Sequence, residues 1–262
     1  MSAEHGPEQP QAEASLLSHL VELRNRLLRG VVAVLIFFIA LAPFADTLFA
    51  LVAEPLMRQL PEGTSMIATQ VASPFLTPFK TAMVGAIFLA MPVLLYQVWA
   101  FVAPGLYQQE KRLAMPLVIT SALLFYAGVA FAYFVVFPLM FAFFTAVAPE
   151  GVEVMTDINA YLDFILTLFF AFGLAFEVPI ATVLMVWAGF TTPAKLAAKR
   201  AYVLLGAFVV GMLLTPPDVI SQTLLAVPVY ILYEAGIVMA RVLVPGHREV
   251  EQQQSEEPEP NP

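Results

Sequence analysis

The chain contains no cysteine, which excludes disulfides, iron–sulfur ligation and zinc–thiolate sites. That absence does not fix its compartment. Its three histidines, His5, His19 and His247, all lie outside the long apolar runs. Intramembrane metalloprotease and haem schemes therefore lack ligands at depth. There is no His-Glu-x-x-His motif, no phosphate-cradling glycine loop, and no paired nucleophile and base. Intramembrane aspartyl chemistry needs two close aspartates within spans, whereas Asp163 and Asp218 fall at the outer ends of theirs. Charge is scarce as well: 12% of residues are charged, against roughly 25% in globular domains.

What fills the chain instead is apolar. Sixty per cent of its 262 residues are hydrophobic, and the mean hydropathy is +0.82. That composition describes an integral membrane protein. The apolar runs are spread along the whole chain and the first lacks a cleavage site, so it reads as a span and not a signal peptide. A charge-free stretch from Thr81 to Gln109 exceeds the roughly 20 residues that cross a bilayer. It is followed at once by Glu110, Lys111 and Arg112.

Six helical spans are predicted, at Leu28–Ala45, Phe79–Val102, Pro116–Thr145, Tyr161–Trp187, Tyr202–Leu214 and Val219–Ala240. The fifth and sixth are expected to be short, joined by a turn at Thr215-Pro216-Pro217-Asp218 that two prolines force to reverse. Ten of the twelve basic residues then share one face, leaving only Arg58 and Lys80 opposite. The positive-inside rule makes that face, and both termini, cytoplasmic. One membrane domain is expected over 15–241, with disordered Pro/Gln/Glu-rich tails at 1–14 and 242–262. These tails supply much of the net charge of −8. On the opposite side, Leu48, Leu51, Val52, Leu56 and Leu60 approach helical spacing, so part of the first loop should form a surface helix.

Several polar residues stand out. Leu16, Leu20, Leu23 and Leu27 form a stripe leading into the first span, with Glu22 and Arg26 off it. Glu22 can pair with Arg26 at i,i+4, or it can offer its carboxylate to a cationic partner. Glu110 is either a solvated loop charge or part of a peptide groove with Gln97, Trp99, Phe101 and Tyr107. Glu177 lies at membrane depth, where a carboxylate is costly and is a functional candidate by default. Pro179, two residues on, weakens the helix there. Asp218 can cap the sixth helix, or join Met212, Thr215, Gln222 and Thr223 in a polar cluster facing a partner helix.

In order along the chain, HLVELRNRL (19–27), SPFLTPFK (73–80), YQVWAFVAPGLYQQEKR (96–112), FYAGVAFAYFVVFPLMFAFF (125–144), FGLAFEVPI (172–180) and GMLLTPPDVISQTLLAVP (211–228) closely resemble the TatC family of twin-arginine protein translocases. The resemblance covers 16–241. It implies a concave, six-helix receptor for signal peptides bearing paired arginines, in a Gram-negative inner membrane. It assigns Glu22, Arg24, Phe101 and Glu110 to signal recognition and Glu177 to the concave membrane face. Met212, Thr215 and Gln222 become the contact for TatA or TatB, with Pro55 and Asp218 also transport-sensitive. Gln108 departs from the family in standing where lysine is common. The expected partners are TatA, TatB, twin-arginine signal peptides, membrane lipids and further copies of the chain. No cofactor, nucleic acid or enzymatic activity is expected. Transport would draw on the proton-motive force, since no nucleotide site is present. A proton-coupled solute transporter using Glu177 is the competing class. It predicts internal repeats, and none is evident between the first and last three spans.

Overall fold

The computed structural model describes residues 9–58, 66–102, 111–147, 155–214 and 218–244, with the side chains of 9–19, 102 and 111–114 excepted. Among these residues the chain is helical, and its one extended contact is a parallel bridge between Ile67 and Asp157. Ten α-helices follow in order: α1 Gln9–Leu41, α2 Ala45–Met57, α3 Ser73–Val102, α4 Lys111–Phe131, α5 Phe137–Val147, α6 Ile158–Ala175, α7 Val178–Trp187, α8 Pro193–Ala198, α9 Arg200–Leu214 and α10 Val219–Leu243. Five continuous or near-continuous helical stretches are long and apolar enough to cross a membrane: Leu20–Met57, Ser73–Phe101, Met115–Val147, Ile158–Trp187 and Val219–Leu243. The expected fifth span is the shorter apolar helix α9.

Three features differ from the sequence reading. Helix α1 begins at Gln9, inside the segment expected as a tail. The anticipated interfacial helix and the first span are one rod, since nothing between Leu16 and Leu41 breaks the helical ladder. The surface helix of the first loop is α2, joined to α1 through the 3-10 turn Ala42–Phe44. The sixth helix is not short. Its 25 residues extend about 37 Å at 1.5 Å per residue, and it runs past Ala240 through Arg241 to Leu243.

Proline shapes these helices. Lacking an N–H, a proline orphans the carbonyl four residues earlier. Pro92 thus frees the carbonyl of Phe88, and the Tyr126 hydroxyl donates to it at 2.9 Å. Pro55 frees the carbonyl of Leu51, and the Tyr133 hydroxyl donates to that one at 3.1 Å. Tyr126 and Tyr133 are seven residues apart on one helical face, so the third stretch caps defects in two neighbours. Pro138 coincides with a π-turn at Ala132–Val136 between α4 and α5, where the N–H of Phe137 reaches the carbonyl of Ala132.

Packing is closest where glycine permits it. A Cβ on Gly128 would meet the Phe172 carbonyl oxygen at 2.4 Å, and one on Gly173 would meet the Phe125 ring at the same distance. These two glycines let α4 and α6 touch backbone to side chain. The main core joins α5, α6 and the π-turn through Phe137, Met140, Phe141, Leu162, Ile165, Phe169 and Phe172. A second cluster, with Met91, Leu95, Trp99, Phe125, Ile180 and Leu184, joins α3, α4 and α7. Helix α10 packs along α7 and α9.

The two loops at the end opposite the basic residues are clipped together. The Ile67 N–H donates to the Thr156 carbonyl, and the Ile158 N–H donates to that of Ile67. Asp157 caps α6 by accepting from Asn159 and Ala160 at 2.9 and 3.0 Å. Its other oxygen accepts from the Thr69 N–H and hydroxyl at 2.9 and 2.7 Å. At the same end Lys80 of α3 pairs with Asp163 of α6.

Candidate functional site

At the basic end, Glu22 and Arg26 lie one turn apart on α1. Arg26 Nε and Nη2 donate to Glu22 Oε1 at 2.9 and 2.6 Å, and Nη1 reaches Gln97 Oε1 of α3 at 3.5 Å. The i,i+4 pairing foreseen from sequence is therefore present. It leaves the Glu22 side chain 42% exposed, accessible to a ligand. Arg26, Gln97 and Phe101 line the end of an apolar groove of about 530 Å³ between α1 and α3, walled by Leu23, Gly30, Val34 and Leu94. The structure thus brings Arg26 and Phe101 to one groove, with Glu22 paired to Arg26. Arg24 points elsewhere on α1 and donates to the Asn25 side chain at 3.2 Å. Glu110 and Tyr107 lie outside the described residues.

Glu177 stands in a break between α6 and α7, where its own N–H bends back to the Leu174 carbonyl at 3.1 Å. Pro179 follows in the first turn of α7, as the sequence anticipated. The carboxylate is buried, with the residue only 6% exposed. Its Oε2 accepts from the Ser121 hydroxyl of α4, which in turn accepts from Trp99 Nε1 of α3 at 2.8 Å. Oε1 is buried with no hydrogen-bond partner among the described residues. Sequence reasoning placed Trp99 in the aromatic cluster but missed Ser121. A lone serine in an apolar run carries no periodic signal.

A second groove, of about 780 Å³, opens between α2, α3, α4 and α6. Its walls are mainly apolar, with Leu48, Val52, Gly85, Phe88, Val129 and Phe169 prominent. Pro55 lies in this lining, together with Tyr126, Tyr133 and the Glu54–Arg58 ion pair at 2.5 Å. Tyr133 also donates to Glu54 Oε2 at 3.3 Å. The two tyrosines and this ion pair were not singled out from sequence. Their seven-residue spacing, set against Pro92 and Pro55, was the available clue.

Asp218 caps α10, accepting from the Ser221 N–H at 2.7 Å, while its Oδ2 is buried without a partner among the described residues. Met212 is exposed and Gln222 half-buried, and Gln222 packs against Gly211 of α9. Thr215 lies outside the described residues. Arg200 at the start of α9 grips Glu234 of α10 through two bonds of 2.5 and 2.7 Å.

Among the described residues, a helical architecture with five membrane-length stretches, apolar grooves between them and a carboxylate buried at a helix break defines a multi-pass membrane protein. The family model described as Sec-independent protein translocase protein (TatC) matches residues 18–228. The Sec-independent protein translocase protein TatC of Azotobacter chroococcum mcd 1 is 65% identical over 222 residues, covering 85% of this chain and 87% of that protein. That of Escherichia coli strain K12 is 58% identical over 229 residues, covering 87% and 89%. A crystal structure of the twin-arginine translocase receptor TatC superposes with a TM-score of 0.76 at 37% identity, covering 86% of this chain and 98% of that one. The chain belongs to the TatC family, and is a protein-translocase component of the bacterial inner membrane.

Proposed function

We propose that this chain is the signal-peptide receptor of a twin-arginine translocase, acting with TatB to bind signal peptides and with TatA to export folded passengers. Six spans, with α9 as the fifth, place both termini and the basic end in the cytoplasm. The observation that carries the reading is the accessible Glu22 carboxylate, held by an Arg26 that lines the same groove as Phe101, at the basic end of a chain in this family.

The chemistry favours arginine. A guanidinium presents a planar fork to a carboxylate, whereas lysine offers a compact point charge. Glu22 and Glu110, on separate segments, read two adjacent arginines, with Arg24 and Phe101 completing the patch. The signal's apolar stretch then lies in the groove lined by Pro55, Phe88 and Phe169. Met212, Thr215 and Gln222, around the α9–α10 turn, meet the single-span partners, and Asp218 keeps that turn in shape. Lipids cover the remaining apolar surface, and several copies of the chain assemble into the receptor complex. The chain itself catalyses no covalent step. Energy comes from the proton-motive force, in which each elementary charge gains about 2.3 kcal/mol per 100 mV.

The test is binding of a twin-arginine signal peptide, and of its Lys-Lys counterpart, to membranes carrying the chain or its Glu110→Ala variant. Arginine-selective binding that collapses in the variant is expected. Equal binding of both peptides to both proteins would sink the receptor reading.

A further inference from the structure

Beneath the recognition patch lies the buried series Trp99–Ser121–Glu177, which no step of recognition uses. We propose that Ser121 and Trp99 are positioning residues that hold Glu177 and link occupation of the Glu22–Phe101 patch to the helix break at Glu177, a role that rests on the receptor reading above.

The direction of the series is fixed by its chemistry. An indole N–H can only donate, so the Ser121 oxygen must accept it. The single serine proton then goes to Glu177 Oε2. Trp99, Ser121 and Glu177 come from α3, α4 and the α6–α7 break, and all three are at most 9% exposed. Met91, Leu95, Phe125, Ile180 and Leu184 surround them. In such a low-dielectric setting a satisfied polar chain is stiff, and an unpaired member is costly.

The last turns of α3 carry both connections. Gln97 on one side takes Arg26 from α1. Trp99, two residues and about 200° further round the helix, takes Ser121 on the other side. A guanidinium that captures Glu22 strips Arg26 of its partner and alters its hold on Gln97. Movement of this turn is passed through Trp99 to Ser121. Glu177 receives it where the helical ladder is already interrupted, so displacement there breaks few backbone bonds. Its unpartnered Oε1 then becomes available to the inserted segment.

The test uses the full chain in membrane vesicles with Trp187→Phe, leaving Trp99 as the sole tryptophan. Without peptide, Ser121→Ala and Glu177→Gln should each shift Trp99 emission, and Ser121→Thr should restore it. Unchanged emission in both variants overturns the link itself, whatever any peptide does. With twin-arginine peptide, the unaltered series should report binding as an emission change that Ser121→Ala abolishes. Surface binding in that variant should stay within about twofold of the parent, while export of a folded passenger falls roughly tenfold, the upper range expected for one intramolecular hydrogen bond. Rescue of export by Ser121→Thr is expected. Normal export in Ser121→Ala, or equal loss of binding and export, would overturn the coupling. Failure of the parent to bind the peptide at all would overturn the receptor reading instead, and the peptide-free emission would still decide the link.

Discussion

Because Arg26 holds Glu22 Oε1 through two N–H groups, a cationic ligand meets a carboxylate that is already paired. A helical i,i+4 pair contributes only about 0.3–0.5 kcal/mol, so it can be displaced, and its displacement costs every cationic ligand the same. Replacing Arg26 with Gln should raise affinity for both peptides by about twofold, a factor set by that pair energy, and leave the arginine preference unchanged. Paired equilibrium titrations of the two peptides would check this, and unchanged affinities would refute it. The tyrosines at the proline defects make a second case. Tyr133→Phe removes only the hydroxyl that serves Leu51 and Glu54. It should cost about 1 kcal/mol, the scale of hydrogen bonds between membrane helices. Tyr126→Phe, which orphans Phe88, should cost a similar amount. Reversible unfolding in mixed micelles measures both, and no loss in either would mean that other groups satisfy these carbonyls. Single residues were unevenly legible. Glu177 and Asp218 announced themselves as charges next to prolines. Ser121 did not, because its partners lie 22 and 56 positions away and no local pattern encodes such pairings.

Between elements, the loop clip is the most pH-sensitive joint outside the membrane. Asp157 is held at about 2, down from 3.8, first by the Ala160 N–H and then by the Thr69 hydroxyl and N–H. A carboxylate with a depressed folded-state pKa stabilises the fold above its unfolded value and loses that contribution as pH falls through the folded one. The clip should therefore hold down to about pH 4 and loosen between pH 4 and pH 2. Protection of the Thr69 and Ala160 amides, taken relative to their intrinsic exchange rates at each pH, should fall across that window. In Asp157→Asn protection should be lower at neutral pH and unchanged from pH 4 to 2, and a variant that keeps the parent's dependence would refute the assignment. The elements themselves were mostly visible in sequence, since apolar runs and basic clusters bracket them. What escaped was continuity. Amphipathic spacing at Leu16–Leu27 cannot tell a separate interfacial helix from the first half of α1. The Pro-Pro turn located the start of α10 and carried no information about its end. The break at Glu177 was foreseen from Pro179 because proline acts within one turn of itself, whereas the 2.4 Å approach of Phe125 to a Cβ on Gly173 depends on a helix crossing that no local pattern states.

At the scale of the whole molecule, the distribution of apolar surface separates support from interface. Helix α1 packs mainly on α3 and leaves Leu27, Ile36 and Ile39 exposed, at no cost where lipid is the solvent. Helix α9 exposes Tyr202, Leu205, Met212 and Leu213 while burying Ala207 and Gly211 against its neighbours. With 15 residues it extends about 22 Å, less than the roughly 30 Å hydrocarbon core. Whether it crosses decides on which side α10 begins and the C-terminus lies. If it crosses, the chain has six spans and the α8 region shares the cytoplasmic face with Glu22. If it does not, the basic cluster at Lys195, Lys199 and Arg200 remains where it is while the C-terminus changes sides. The cysteine-free sequence makes the question clean, because any introduced thiol is the only one. Single cysteines at Val71 and Met155, both exposed in the clipped loops, and at Phe190, exposed between α7 and α8, supply three reporters, and one appended after Pro262 supplies the fourth. In intact spheroplasts a membrane-impermeant maleimide should label the first two at once, and the Phe190 and C-terminal sites only after permeabilisation. Labelling of the C-terminal site alongside Val71 would remove α9 from the spans. Labelling of Phe190 without permeabilisation would invert the molecule, placing Glu22 on the face where no signal peptide arrives.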